Sequence, residues 1–129
     1  MLADRIRPRV GADTALVGLH TGGVWLAQRL HALLGLAQPI GSLDVSFYRD
    51  DYAKRGLSRD TRSSALPFDV EGRHLILVDD VLHTGRTIRA ALNELFDYGR
   101  PAKVELAVLI ERGGRLLPVA PTYCATRLD

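Results

Sequence analysis

The stretch LILVDDVLHTGRT, residues 75–87, decides the fold expected of this chain. It opens with four consecutive apolar residues, which is typical of a central parallel strand covered by helices on both faces. Asp79 and Asp80 follow directly, so we expect them where this strand leaves the sheet. Because ligands of open α/β sheets bind at the carboxyl ends of strands, the stretch predicts an α/β sheet with an acid pair at its binding edge.

A short turn, Thr84-Gly85-Arg86-Thr87, follows the acid pair and leads into a helical pattern. A glycine between hydroxyl residues at a helix N-terminus directs backbone N–H groups and the positive end of the helix dipole towards one point, where a phosphate can bind. The alternative is structural, since Thr-x-x-Thr often only caps a helix and paired Asp residues often only cap loops. The combination of apolar strand, acid pair and glycine turn favours a sugar-phosphate site, in which the acids take ribose hydroxyls or a metal.

Apolar segments along the rest of the chain complete a repeated pattern of strand and helix. Further strands are predicted at residues 15–19, 43–48, 66–70, 104–110 and 122–125. Residues 1–9 are expected to be the end of a helix, and two further helices are predicted at 24–34 and 88–96. Gly35 is expected to stop the first full helix in the left-handed conformation. The polar stretch 49–65 is expected to be a solvated loop or a lid.

This alternation predicts a parallel sheet with helices on both faces. Three loops, 20–23, 79–87 and 111–115, should then meet at the carboxyl edge of the sheet. Convergence of several loops at one edge is expected of a binding cleft.

Length and composition exclude several classes of protein. A chain of 129 residues with 47% hydrophobic and 25% charged residues is expected to form a single domain, 1–129, with an ordinary core. The net charge of +2 is too small to argue for nucleic acid. Cys124, the only cysteine, excludes an intrachain disulfide and is expected to be a small core residue. No apolar run approaches the ~20 residues of a membrane span, and the protein is expected in the cytoplasm, with no membrane partner.

The stretch 75–87 resembles the 13-residue phosphoribosyl pyrophosphate (PRPP) motif of type I phosphoribosyltransferases. Segments 18–24, 44–51, 66–69 and 95–102 resemble the PyrR family of pyrimidine-operon regulators and uracil phosphoribosyltransferases. The resemblance implies a three-layer, Rossmann-like α/β fold, truncated at both ends relative to the family. It implies transfer of phosphoribosyl from PRPP to uracil, with UMP and diphosphate as products, Mg²⁺ as cofactor, and a homo-oligomeric assembly, either dimer or tetramer.

The resemblance also implies roles for individual residues. PRPP and nucleotide contacts would come from Thr21, Gly22, Gly23, Asp79, Asp80, Val81, Leu82, His83, Thr84, Gly85, Arg86 and Thr87. The catalytic residues would be Asp79, Asp80, Arg59 and Arg62, with Mg²⁺ held mainly through PRPP near the two acids, and Arg112 would contact the base. Relatives often carry arginine where this chain has His20 and Gly22, and histidine where it has Gly114.

Two other functions remain open from the sequence. The first is an RNA-binding regulator of pyrimidine operons that uses the nucleotide site as a sensor and recognises pyrimidine-leader RNA. Its candidate surface is Arg5, Arg7, Arg9, Arg89, Arg100 and Lys103, although a modest charge without an aromatic stacking platform favours plain solvated helix faces. The second is a phosphoacceptor receiver domain. It is disfavoured because the acid pair of a receiver domain follows the first strand, whereas the acid pair of this chain follows a later strand.

Overall fold

The computed structural model describes residues 2–45 and 64–128. Five parallel strands form one sheet in the order β2-β1-β3-β4-β5. In chain order the elements are α1 (Leu2–Ile6), a 3₁₀ turn (Arg7–Arg9), β1 (Ala15–Leu19), α2 (Gly22–Leu34), β2 (Gly41–Leu43), β3 (His74–Leu82), α3 (Arg86–Phe96), β4 (Lys103–Arg112) and β5 (Tyr123–Leu128). The parallel α/β fold expected from the sequence is confirmed.

The central strand β3 explains the three layers. Leu75 and Leu77 belong to the core on the α3 side of the sheet, and Ile76 and Val78 belong to the core on the other side. All four are at most 1% exposed. Because successive strand side chains point to opposite faces, an uninterrupted apolar run is needed here, and helices cover both faces.

The core opposite α3 is covered by α1 and α2 together. Leu2, Ala3 and Ile6 of α1 pack with Ala27 and Leu30 of α2 against the sheet. Ile6 is fully buried. The short helix at the start of the described chain therefore completes this layer of the domain.

The predicted end of the central strand is wrong, because β3 does not stop at Val78. Its pairing with β1 ends at Val78, but its pairing with β4 continues to Leu82. Backbone pairing with β4 keeps the polar residues that follow Val78 in the strand conformation. Asp79 and Asp80 consequently lie beyond the last residue pair that joins β3 to β1.

The two predicted strands between β1 and β3 also need correction. The structure has β2 at Gly41–Leu43, Asp44 and Val45 have no regular structure, and residues 46–48 lie outside the described residues. The strand predicted at 66–70 is absent from the described chain, and only an isolated antiparallel bridge joins Ala65 to Ser42. Residues of this segment instead cover the sheet, since a Cβ added at Gly41 would lie 2.8 Å from Leu66 Cδ2 and 3.0 Å from Phe68 Cζ.

Both long helices begin two residues earlier than predicted, α2 at Gly22 and α3 at Arg86. Gly35 ends α2 with φ of 63°, and its N–H donates to the His31 carbonyl, as expected. Phe96, which the helical spacing placed towards the core, is 52% exposed at the end of α3. None of the helices in the described part of the chain has the length and apolar content needed to cross a membrane.

A buried polar cluster lies near the amino ends of the strands, away from the predicted binding edge. The Glu105 carboxylate is 2.7 Å from His74 Nε2 and accepts a hydrogen bond from the Tyr123 hydroxyl at 3.1 Å. The other ring nitrogen, His74 Nδ1, is 3.0 Å from the hydroxyl of the buried Thr14. An Arg9 nitrogen lies 3.5 Å from the same carboxylate, so the cluster joins the 3₁₀ turn to three strands.

Candidate functional site

The turn between β1 and α2 lies very close to the sheet, and glycines in β1 and at the start of α2 make this approach possible. A Cβ at Gly23 would lie 3.0 Å from the Asp79 Cα, and one at Gly18 would lie 2.7 Å from the Val24 Cα. The peptide bond between His20 and Thr21 is cis. The N-terminus of α2 is thus held directly against the carboxyl ends of β1 and β3.

The acid pair lies at this same junction. Asp79 is half-buried and Asp80 is exposed. Asp79 Oδ1 accepts a hydrogen bond from the Asp80 N–H at 2.8 Å, and Asp80 Oδ1 accepts one from the Val81 N–H at 2.8 Å. A Cβ at Gly22 would lie 2.7 Å from the Asp80 Cγ, so the Asp80 carboxylate lies against the β1–α2 turn.

The turn before α3 has the backbone geometry of a phosphate cradle. Gly85 adopts φ of 97°, a left-handed conformation that favours glycine. The first backbone hydrogen bond of the helix runs from the Arg89 N–H to the Gly85 carbonyl at 3.0 Å. Over residues 2–45 and 64–128, the amides of Gly85, Thr87 and Ile88 have no protein acceptor. These three N–H groups can therefore bind an anion.

One cavity joins Asp79 to the cradle, whereas Asp80 is not among its lining residues. Its volume is about 180 Å³, and its lining comprises Asp79, Val81, Leu82, His83, Thr84, Gly85, Thr87 and Ile88. The Leu82 side chain is only 1% exposed and belongs to the core. The Leu82 side chain therefore holds the loop onto the sheet, and only the backbone of Leu82 can face the cavity.

The segment after β4 covers the cradle from the other side. The N–H groups of Leu116 and Leu117 both donate to the Thr84 carbonyl, at 2.9 and 3.1 Å. A Cβ at Gly85 would lie 3.3 Å from the Leu117 Cβ. The cradle is therefore built from two loops, only one of which belongs to the motif 75–87.

The third predicted loop lies at the same edge of the sheet, and β4 extends into it. Arg112, the predicted base contact, is exposed at the last position of β4. Gly114 adopts φ of 92°, and a Cβ there would lie 3.0 Å from His83 Nε2. Glycine is therefore favoured at position 114.

Sequence reasoning missed Arg115. Its guanidinium pairs with the Glu111 carboxylate and donates to the backbone carbonyls of His83, Arg112 and Val119. Its side chain is only 22% exposed. An arginine within a glycine-rich polar loop carries no periodicity that would distinguish an internal contact from a solvated side chain.

The structure thus brings the turn at 21–23, the acid pair and the cradle at 84–87 together, while Arg112 stands at the end of the neighbouring strand. Arg59 and Arg62, predicted as catalytic, lie outside the described residues. In the described chain, no group of three His, Cys, Asp or Glu side chains could hold a metal ion. The donor set nevertheless fits Mg²⁺, which usually binds one or two carboxylates together with substrate phosphates.

Comparison with known proteins agrees with this fold and this motif. The sequence profile of the phosphoribosyl transferase domain matches residues 2–127. Bifunctional protein PyrR of Pseudomonas paraeruginosa is 61% identical over 113 residues, which are 88% of this chain and 66% of that protein. The PyrR protein of Pseudomonas entomophila is 59% identical over 117 residues, covering 91% and 68%. The chain spans about two thirds of the length of these curated relatives.

Solved structures show the same fold at low sequence identity. The purine phosphoribosyltransferase of Pyrococcus horikoshii superposes with a TM-score of 0.74 at 23% identity, covering 99% of this chain and 78% of that one. A hypoxanthine phosphoribosyltransferase of Staphylococcus aureus gives a TM-score of 0.75 at 18% identity, covering 98% and 68%. By sequence and by fold, the chain belongs to the phosphoribosyl transferase domain family, type I, among relatives of PyrR.

Proposed function

We propose that this chain transfers the phosphoribosyl group of PRPP to uracil, giving UMP and diphosphate. The observation that carries the proposal is a cavity lined both by Asp79 and by a turn with unused backbone N–H groups, with the Asp80 carboxylate lying against the neighbouring turn at Gly22. Neither feature alone would identify the ligand. Together they match a ribose that carries a phosphate, and the chain is about 60% identical to proteins named PyrR over most of its length.

PRPP would bind across the carboxyl edge of the sheet. Its 5-phosphate would accept hydrogen bonds from the amides of Gly85, Thr87 and Ile88, helped by the dipole of α3. Asp79 and Asp80 would accept hydrogen bonds from the ribose 2- and 3-hydroxyls. The diphosphate would then lie over the turn at 21–23, next to the Asp80 carboxylate.

Catalysis in this arrangement is mainly electrostatic. The bond between C1 of the ribose and the diphosphate oxygen breaks, a bond forms between C1 and N1 of uracil, and the N1 proton leaves to solvent or to the released diphosphate. Positive charge develops on the ribose during this exchange, so the carboxylates of Asp79 and Asp80 stabilise it. A bound Mg²⁺ would supply the charge that neutralises the departing diphosphate. No covalent intermediate with the protein is required.

Three further residues are assigned by family resemblance. Arg112 would contact the base, and Arg59 and Arg62 would close on the diphosphate side. Gly114, with its positive φ, leaves the base side without the histidine of many relatives. We also propose a cytoplasmic location and a homo-oligomeric state, either dimer or tetramer, which sedimentation equilibrium would test.

Turnover is tested by incubating the protein with PRPP, Mg²⁺ and uracil and measuring UMP. The Asp80→Asn variant should abolish UMP formation and keep its circular dichroism spectrum. The matched control is Asp97→Asn, because Asp97 is an exposed acid at the far end of α3. Turnover by Asp80→Asn at the wild-type rate would remove Asp80 from the ribose site.

The second candidate function, RNA-binding regulation, is favoured by one observation, the name "Bifunctional" carried by the PyrR relatives. The candidate basic residues have less support, because α1 and α3 cover opposite faces of the sheet and Arg7 is already paired with Asp4. Binding to pyrimidine-leader RNA with a steep salt dependence would support this function. Equal binding to a scrambled RNA would contradict it.

A further inference from the structure

The Arg115 guanidinium connects four groups from separate parts of the site. Its Nε donates to the Val119 carbonyl at 2.8 Å, and Nη1 donates to the Arg112 carbonyl at 3.0 Å. Nη1 also donates to the His83 carbonyl, and Nη2 pairs with the Glu111 carboxylate. A planar guanidinium presents five N–H donors in a fixed fork, so these contacts fix the positions of the acceptors relative to one another.

These acceptors lie on two sides of the proposed substrate site, the phosphate cradle and the end of β4. His83 immediately precedes the phosphate turn, and Arg112 is the proposed base contact. Val119 belongs to the segment that covers Gly85, since a Cβ at Gly85 would lie 3.4 Å from Val119 Cγ2. Displacing the guanidinium would therefore release the phosphate cradle and the end of β4 together.

We propose that Arg115 is a positioning residue that sets the phosphate cradle and the base-reading end of β4 at a fixed separation. This inference rests on the proposed function, because it assigns the two places to phosphate and base. Arg115 touches neither reacting atom. Its effect passes through the backbone of His83 and Arg112.

Arg127 provides a matched control. Its Nε donates to Glu111 Oε1 at 3.0 Å, so it shares the carboxylate with Arg115. Its side chain is 73% exposed, and within the described chain it has no hydrogen bond to residues 83–87 or 116–119. Arg127→Gln removes one of the two positive charges that pair with Glu111. It leaves the hydrogen bonds from Arg115 to the backbone in place.

The inference is tested by calorimetric titration with ribose 5-phosphate and, separately, with diphosphate. Ribose 5-phosphate should occupy the cradle, whereas diphosphate should occupy the turn at 21–23. Arg115→Gln should weaken ribose 5-phosphate binding by about tenfold or more, because small displacements of a positioned group have large effects, and should leave diphosphate binding within about twofold. Arg127→Gln should change neither. Equal weakening of both ligands by Arg115→Gln would indicate general destabilisation and would contradict the inference.

Arg115→Lys is the second variant, and it guards against failure of the glutamine variant to fold. It keeps the positive charge near Glu111, but a compact ammonium cannot span all four acceptors. We expect it to bind ribose 5-phosphate as weakly as Arg115→Gln. Wild-type affinity in the lysine variant would show that charge alone suffices and would overturn the positioning role.

Amide hydrogen exchange on the ligand-free protein separates this inference from the proposed function. Arg115→Gln should accelerate exchange in residues 83–88 and 116–119, and Arg127→Gln should not. Unchanged exchange in Arg115→Gln would overturn the role of Arg115, whatever the ligands do. Exchange could respond as expected while the wild-type protein binds no ribose 5-phosphate. In that case the assignment of the cradle to phosphate fails, and the proposed function and the role of Arg115 in substrate binding fail with it.

Discussion

Gly23 lies where α2, β1 and β3 meet, and no larger residue fits there without moving backbone. The sequence marks residues 20–23 as a turn, and the family resemblance assigns diphosphate to it. Neither indicates that the turn rests on the backbone at Val78 and Asp79, because such a long-range approach depends on strand order. The same holds for the Asp80 carboxylate, whose position against Gly22 appears only in three dimensions.

Gly23→Ala should lower the free energy of unfolding by about 1–3 kcal/mol, the usual cost of overpacking. The added Cβ would meet backbone atoms of β3 at 3.1 Å or less, and backbone cannot move aside as a side chain can. The measurement is urea denaturation. Gly113→Ala is the control, with nothing within 4 Å of the added Cβ, and should change stability by no more than about 0.5 kcal/mol. Equal stability of the two variants would contradict the close approach.

Glu105 should make the free energy of unfolding decrease at acid pH. Burial raises the pKa of this carboxyl, but hydrogen bonds from His74 and Tyr123 and the charges of His74 and Lys103 outweigh burial and lower the pKa below its ordinary value of 4.5. The unfolded chain therefore takes up the proton first as pH falls. The contribution of ionised Glu105 to the free energy of unfolding is therefore complete above pH 4.5. It is lost as pH falls through the lower pKa that Glu105 has in the folded state.

The test compares denaturation of wild type and Glu105→Gln between pH 7 and pH 3. The variant should lose less stability over this range than wild type, because its amide does not titrate. Asp13→Asn, at an exposed position, should follow the wild-type curve. A parallel pH dependence in wild type and Glu105→Gln would show that the buried cluster does not contribute to acid sensitivity.

At the scale of elements, the strongest apolar runs were predicted well, whereas the ends of the strands other than β1 were not. β1 has the predicted bounds, and the apolar residues 75–78 form the middle of the sheet. The extension of β3 to Leu82 depends on pairing with β4, which no local pattern contains. The segment at 66–70 has strand-like alternation, yet it packs across Gly41 because its apolar side chains cover the core.

The short helix α1 should be essential to the core that it covers. Ile6→Ala removes a fully buried side chain between α1 and the sheet, and we expect a loss of about 2–5 kcal/mol. Leu33→Ala on α2, where Leu33 is 43% exposed, should cost much less. Chemical denaturation of both variants checks the difference. Similar stabilities would mean that α1 is only loosely attached.

At the scale of the whole molecule, convergence of three loops at one edge follows from the strand and helix alternation together with the rule for parallel sheets. The sequence could therefore predict which residues meet. It could not predict the buried polar cluster at the opposite edge, because Thr14, His74, Glu105 and Tyr123 come from distant parts of the chain. It also missed Arg115, whose acceptors are mostly backbone carbonyls.

Calorimetric titration with PRPP in the presence of Mg²⁺ tests the central claim most directly, since it asks whether the carboxyl edge of this sheet holds a phosphorylated ribose. The account predicts saturable one-site binding. Because hydrogen bonds to charged groups contribute about 1.5–3 kcal/mol, Asp80→Asn should bind about tenfold to a hundredfold more weakly. A folded wild-type protein that takes up no PRPP at millimolar concentration, or an Asp80→Asn variant with wild-type affinity, would contradict it.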